Sequence, residues 1–208
     1  MPRLEKGEHA PLNVSHRAQH RIFAGLGWEP KKQSGFLDKI GGALGLKKDY
    51  HDLDLACLLF DENKNPIGSV SAHPQHISAA AGHIYHSGDN IAGLGEGDDE
   101  QVSVELLKLP PPIHYILFVA SIKSGHTFGE VELPEIRLAD GYSNHNFLMT
   151  PLSHIEGKAK SAFAFASVYR TDEGWNVHNI STYVDFLALQ KPGSALSRLL
   201  TKSSAGNH

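Results

Sequence analysis

Residues 162–182 read AFAFASVYRTDEGWNVHNIST. The run to Arg170 is rich in aromatic and β-branched side chains, TDEG supplies turn chemistry, and WNVHNIST resumes a β-like pattern from Trp175, so the stretch predicts a hairpin. Towards the N-terminus, QVSVEL at 101–106 alternates, with Val102, Val104 and Leu106 on one face of a strand and Ser103 and Glu105 on the other. HYILFVASI at 114–122 is apolar on both sides, the pattern of a central strand covered on both faces. DENKNP at 61–66 divides two more β-like runs and predicts a second hairpin. Short strands separated by turns favour an all-β fold, a two-sheet β-sandwich.

The chain has 208 residues, 40% of them hydrophobic and 20% charged, which suits one globular domain, here taken as residues 1–188, with a flexible C-terminal tail over 189–208. Its formal net charge of -4 argues against nucleic acid as a partner, because phosphate binding needs clustered Lys and Arg. MPRLEKGEHA leads into no apolar signal region, and YILFVA at 115–120 is far too short to span a bilayer, so the expected location is the cytoplasm. The single cysteine, Cys57, shares a strand face with Leu53, Leu55 and Leu59 and is read as an inert buried thiol.

Two segments stand apart from the strand pattern. In PKKQSGFLDKIGGALGLKKDY, residues 30–50, Phe36, Leu37, Ile40 and Leu44 fall at helical spacing, although each glycine weakens such a helix by about 1 kcal/mol relative to alanine. The segment is read as a short helical insertion that packs on the sandwich, with membrane-surface or partner docking as the alternative. Beyond Lys191 the chain reads as a linker, one helical turn around Leu196, Leu199 and Leu200, and a loose end.

The candidate site lies in HSGDNIAGLGEGDDE, residues 86–100, which holds four glycines and five carboxylates. So many like charges in one segment repel unless water or a cation offsets them. Asp89, Asn90, Asp98, Asp99 and Glu100 are hard oxygen donors, while Gly93 and Gly95 let the backbone turn and present carbonyls. Upstream, Asp52 and Asp54 in HDLDLA sit two apart on a strand and project from one face. Calcium, which takes six to eight oxygens, fits this donor set better than zinc or magnesium; one ion or two is expected. The spacing is not that of an EF-hand.

Together, LEKG at 4–7, GLGW at 25–28, DLDLACLLF at 52–60, HSGDN with GDDEQ at 86–101, FGEV at 128–131, IR at 136–137 and VYR with GW at 168–175 resemble the TerD family of bacterial tellurite-resistance and stress-response proteins. The resemblance implies a β-sandwich with acidic calcium-binding loops at one end. Its implied ligands are Asp52, Asp54, Asp89, Asn90, Asp98, Asp99 and Glu100, with Gly93 and Gly95 where carbonyls would serve. It also implies a non-enzymatic scaffold acting with other stress-response proteins in an assembly, in part at the inner face of the membrane. Departures are Ala92 where the family usually has Thr, Glu96 where it often has Asp, and the long insertion at 30–50.

Other readings stay open. An incompletely coordinated calcium would bind an anionic ligand or an acidic membrane surface, aided by Lys31, Lys32, Lys39, Lys47 and Lys48. A metal-dependent hydrolase would use a carboxylate as general base, but no nucleophile elbow, phosphate-binding loop or metallohydrolase pattern is present. His73, His76, His83 and His86 look like loop histidines rather than zinc ligands, since residues three apart on a strand face opposite sides; His86 is placed to orient a nearby ligand.

Overall fold

The hairpin at 162–182 forms as β11 (Ala162–Thr171) and β12 (Gly174–Tyr183), and its turn closes at Gly174, whose φ of +128° suits glycine. The structure, a computed structural model, describes residues 4–15, 20–29, 50–91, 97–152, 157, 159–190 and 193–200. Among them the other strands are β1 (His9–Pro11), β2 (Arg21–Glu29), β3 (Leu53–Phe60), β4 (Pro66–Ser71) and β5 (Ser78–Ala79). There follow β6 (Ile84–His86), β7 (Glu100–Glu105), β8 (Tyr115–Ile122), β9 (Glu132–Asp140) and β10 (Asn146–Pro151). They make two six-stranded antiparallel sheets, ordered β1-β12-β11-β8-β3-β4 and β10-β9-β2-β7-β6-β5. The expected two-sheet, all-β architecture is therefore the observed one.

Side-chain alternation sets what lies between the sheets. Ile22, Ala24 and Leu26 of β2, Val102 and Val104 of β7, Leu53, Leu55 and Cys57 of β3 and Phe118 of β8 all point into one shared core. Burial pushes the Cys57 thiol up to about 12, so it stays protonated and inert, as its leucine neighbours suggest. The 61–66 hairpin is also present: Asp61 accepts from the Asn65 amide at 2.8 Å, and Lys64 takes the left-handed conformation at φ +63°.

The continuous apolar run of β8 has two reasons. Ile116, Phe118 and Ala120 face the inter-sheet core, whereas Leu117 and Val119 face a second cluster on the outer side of the first sheet. Two short helices cover that outer face, α1 (Phe186–Gln190) and α2 (Ser194–Leu199). Leu196 and Leu200 are buried there against Leu58, Phe60, Val119 and Ile180, and the Ser197 hydroxyl donates to the Lys64 carbonyl at 2.8 Å. The expected flexible tail over 189–208 is thus corrected for its first part: leucines at helical spacing find an apolar sheet face, and the packed chain runs to Leu200. The insertion reading at 30–49 and the end of the tail, 201–208, lie outside the described residues. No helix among the described residues is long and apolar enough to cross a membrane.

Because Leu196 is fully buried, Leu196→Ala should lower unfolding free energy by about 2–3 kcal/mol. Urea denaturation measures it, and an unchanged midpoint would contradict the packing of α2.

Candidate functional site

Glu100 opens β7 opposite Leu26 of β2, yet its carboxylate crosses to the other sheet. There β4 has run out, because its ladder on β3 ends at Ala56 paired with Ser71, and the next amide on that side of β3 needs another acceptor. Glu100 Oε2 accepts from the Leu55 amide at 2.7 Å, and Oε1 accepts from the Asn90 amide at 3.2 Å. His86 completes the knot: its Nδ1 accepts from the Gly88 amide at 3.0 Å, so the ring proton is on Nε2, 3.0 Å from the Leu55 carbonyl and 3.4 Å from Glu100 Oε2. Glu100 is fully buried, and these donors replace its lost water.

Asp99 anchors the same segment to β2. Its Oδ2 accepts from the Trp28 amide and its Oδ1 from the Asn90 side-chain amide, each at 2.9 Å, while its own amide donates to the Leu26 carbonyl at 2.8 Å. Burial, opposed by the Trp28 hydrogen bond and reinforced by Asp98 and Glu29, raises its pKa.

Asp98 has a different fate. Arg137 of β9 grips it with two hydrogen bonds, Nε to Oδ1 at 2.8 Å and a terminal nitrogen to Oδ2 at 2.7 Å, and Gln101 adds a third at 3.0 Å. This carboxylate lies on Gly25, which sits between Arg137 and Gln101 in the ladder; a methyl group at Gly25 would collide with it. Since Ala24 and Leu26 face the core, Gly25 and Asp98 belong to the outer face of the second sheet. Arg137 also stacks over the Phe23 ring at 4.9 Å and reaches Asn146 of β10 at 3.0 Å, so it ties the acidic segment to the sheet edge.

The strand aspartates occupy the opposite outer face. Asp54 shares its side of β3 with Ala56 and Leu58, and Lys123 holds its Oδ1. The other oxygen, Oδ2, is buried with no hydrogen-bond partner. Burial pushes the Asp54 carboxyl up to about 6; Lys123 opposes this, while the charges of Glu100 and Asp52 add to it. Beside it the Asp52 amide donates to the Ser124 hydroxyl at 3.2 Å, Ser124 pairs with His126 Nδ1 at 2.9 Å, and His51 packs edge-on against His126 at 4.7 Å. These groups form a buried polar wall behind Asp52.

Of the nine site positions read from sequence, Asp52 and Glu100 each lie within electrostatic reach of Asp54, and Asn90 is hydrogen-bonded to both Asp99 and Glu100. Asp89 is exposed at the start of the loop, Asp98 is on the far face, and Gly93 and Gly95 lie outside the described residues. Among the described residues, no three His, Cys, Asp or Glu side chains are arranged to hold a metal ion by themselves. The partnerless, buried Asp54 oxygen nevertheless fits a hard cation, with Asp52 as its neighbour. Lys123 and the Ser124–His126 pair escaped the sequence reading because a strand-end lysine and a lone serine carry no pattern. Arg137 is visible in the sequence as part of the IR motif at 136–137, but nothing there pairs it with Asp98. His83 pairs with Glu105 at 2.8 Å, away from His86, and His73 and His76 are exposed.

The TerD domain matches residues 1–186, and the chain belongs to that family. Tellurium resistance protein TerZ of Serratia marcescens is 34% identical over 140 residues, 67% of this chain and 69% of that protein. Stress response protein SCP2 of Bacillus subtilis (strain 168) is 30% identical over 177 residues, 83% of this chain and 87% of that one. A crystal structure of a homologue of telluride resistance protein (TerD) from Streptomyces coelicolor A3(2) superimposes with a TM-score of 0.63 at 22% identity, covering 79% of this chain and 90% of that one. At that identity the likeness shows the fold.

The sign of the Asp54 shift leads to a test. With a folded pKa of about 6 against an ordinary 3.8, the folded protein takes up this proton more readily than the unfolded chain, so the stability it contributes is present at low pH and is lost as pH rises through 6. Asp54→Asn keeps an oxygen for Lys123 and removes the charge. In cation-free buffer its melting temperature should match the parent near pH 4 and exceed it at pH 7, by on the order of 2–3 kcal/mol of stability. A variant less stable than the parent at pH 7 would contradict the assignment.

Proposed function

We propose that this chain is a stress-response protein of the tellurium-resistance type that binds calcium at its acidic end and acts as an interaction module rather than an enzyme. The observation that carries the reading is the buried Asp54 oxygen that no donor satisfies, beside Asp52 and Glu100. An unpaired buried carboxylate oxygen is costly, and a hard cation relieves that cost directly. Asp52 and Asp54 would hold the ion from the strand, with Asp89 reaching in from the exposed start of the loop. Bound there, calcium would supply the positive charge that offsets Asp52 and Asp54.

The protein's own residues do the positioning. Lys123 holds one Asp54 oxygen, so the other has a fixed direction. Glu100 and Asp99 clamp the segment after the loop to both sheets, and Glu100 also accepts from the Asn90 amide at the loop's start. Arg137 neutralises Asp98 and so reduces the repulsion that the segment would otherwise add. The names of TerZ and SCP2 support the resistance and stress-response reading.

Calcium binds the folded state and not the unfolded chain, so at one hundred times the dissociation constant one site should add about 2.7 kcal/mol. Thermal melts with calcium and with chelator should differ in the parent and coincide in Asp54→Asn. Identical parent curves would end the calcium reading. Calcium-dependent sedimentation with anionic vesicles would favour an anionic ligand, and turnover of a phosphoester lost in Asp54→Asn would favour a hydrolase.

A further inference from the structure

The long sides of the sandwich are finished differently. On one side β4 packs against β5 and β6 of the opposite sheet. On the other, β1 and β10 each pair with a single strand and face one another across a groove of about 850 Å³. Its floor is apolar, built from Ala10, Phe147, Leu148 and Val177. Carboxylates ring it, from Glu5 and Glu8 ahead of β1 and Glu135 of β9, and among the described residues no Lys or Arg lines it.

Edge backbone is available along β10. The Leu152 amide donates to the Pro134 carbonyl at 2.7 Å, so by alternation the amides of Thr150 and Leu148 also turn towards β9, and that of Met149 turns outward. Met149 is 43% exposed, and Pro151 ends the outward donor row. β1 offers a shorter edge of three residues that ends at Pro11. Natural sheets usually cover or charge such an edge, and a six-residue edge beside an apolar trough suits strand addition.

We propose that the β1–β10 groove receives an extended basic segment of a partner protein, added as a strand to β10. Its alternate apolar side chains enter the groove, and its Lys or Arg residues meet Glu5, Glu8 and Glu135. Charge chooses between occupants. A second copy docked edge to edge would bring the same three carboxylates against each other, and the chain carries a formal net charge of -4. The groove is separate from Asp52 and Asp54, so the proposal stands without calcium.

A fluorescent synthetic peptide of alternating lysine and valine, titrated with the full-length protein at low salt, tests it by anisotropy. Saturable binding is expected, with none for the same peptide carrying glutamate in place of lysine. The triple variant Glu5→Gln, Glu8→Gln, Glu135→Gln should weaken it at least about tenfold, and so should Met149→Pro, which removes an outward amide and leaves the β9 ladder intact. Melting curves confirm that each variant is folded. Absence of binding, equal binding of the glutamate peptide, or binding that survives Met149→Pro would overturn the proposal. So would sedimentation showing a dimer that Met149→Pro dissolves, which would assign the edge to a second copy.

Discussion

A fully buried glutamate tolerates no vacancy among its donors, and the placing of Glu100 organises the acidic end of this protein. It stands at the first residue of β7 in one sheet and accepts the Leu55 amide of β3 in the other. Sliding β7 by one residue would turn that carboxylate outward and leave the Leu55 amide unpaired in a dry interior. The hydrogen bond from the Asn90 amide and the close approach of His86 extend the constraint to the start of the loop, so the loop's two ends are fixed by one side chain.

Seen from Glu100, the acidic residues divide by how each charge is met. Backbone and side-chain amides meet Glu100 and Asp99, a guanidinium meets Asp98, and Asp54 is met on one oxygen only. This division shows that an acidic run need not act as one ligand set. Asp98, Asp99 and Glu100 of that run stabilise the loop's frame, and the half-satisfied Asp54 belongs to β3, on the far side of the sandwich from Asp98. Burial maintains that asymmetry, because solvent would otherwise supply the missing donor.

The fold was legible to a useful depth. Alternation in 101–106, the doubly apolar run at 114–122 and the two hairpins all correspond to real strands, since period two is a direct consequence of a half-buried pleat. What the strand pattern left unseen was the reason for the apolar outer side of β8, which rests on Leu196 and Leu200 nearly eighty residues later. The TerD resemblance also identified the family. In the site, the chemistry of single residues was visible and their pairing was not: Asp52 and Asp54 look equivalent in HDLDLA, but only tertiary structure gives Asp54 a lysine and a desolvated second oxygen. Asp98 and Asp99, adjacent in sequence, take different partners, Arg137 and the Trp28 amide, and since both precede β7 the strand period does not assign them sides.

The account rests on the acidic end being unfinished without a divalent ion. Titration calorimetry of the purified, metal-free chain addresses this most directly. It predicts a saturable calcium heat of at least one site per chain that magnesium reproduces only weakly, because magnesium gives up its waters reluctantly and calcium accepts an irregular set of carboxylate oxygens. A flat calcium titration at millimolar concentration, with the protein folded throughout, would contradict it.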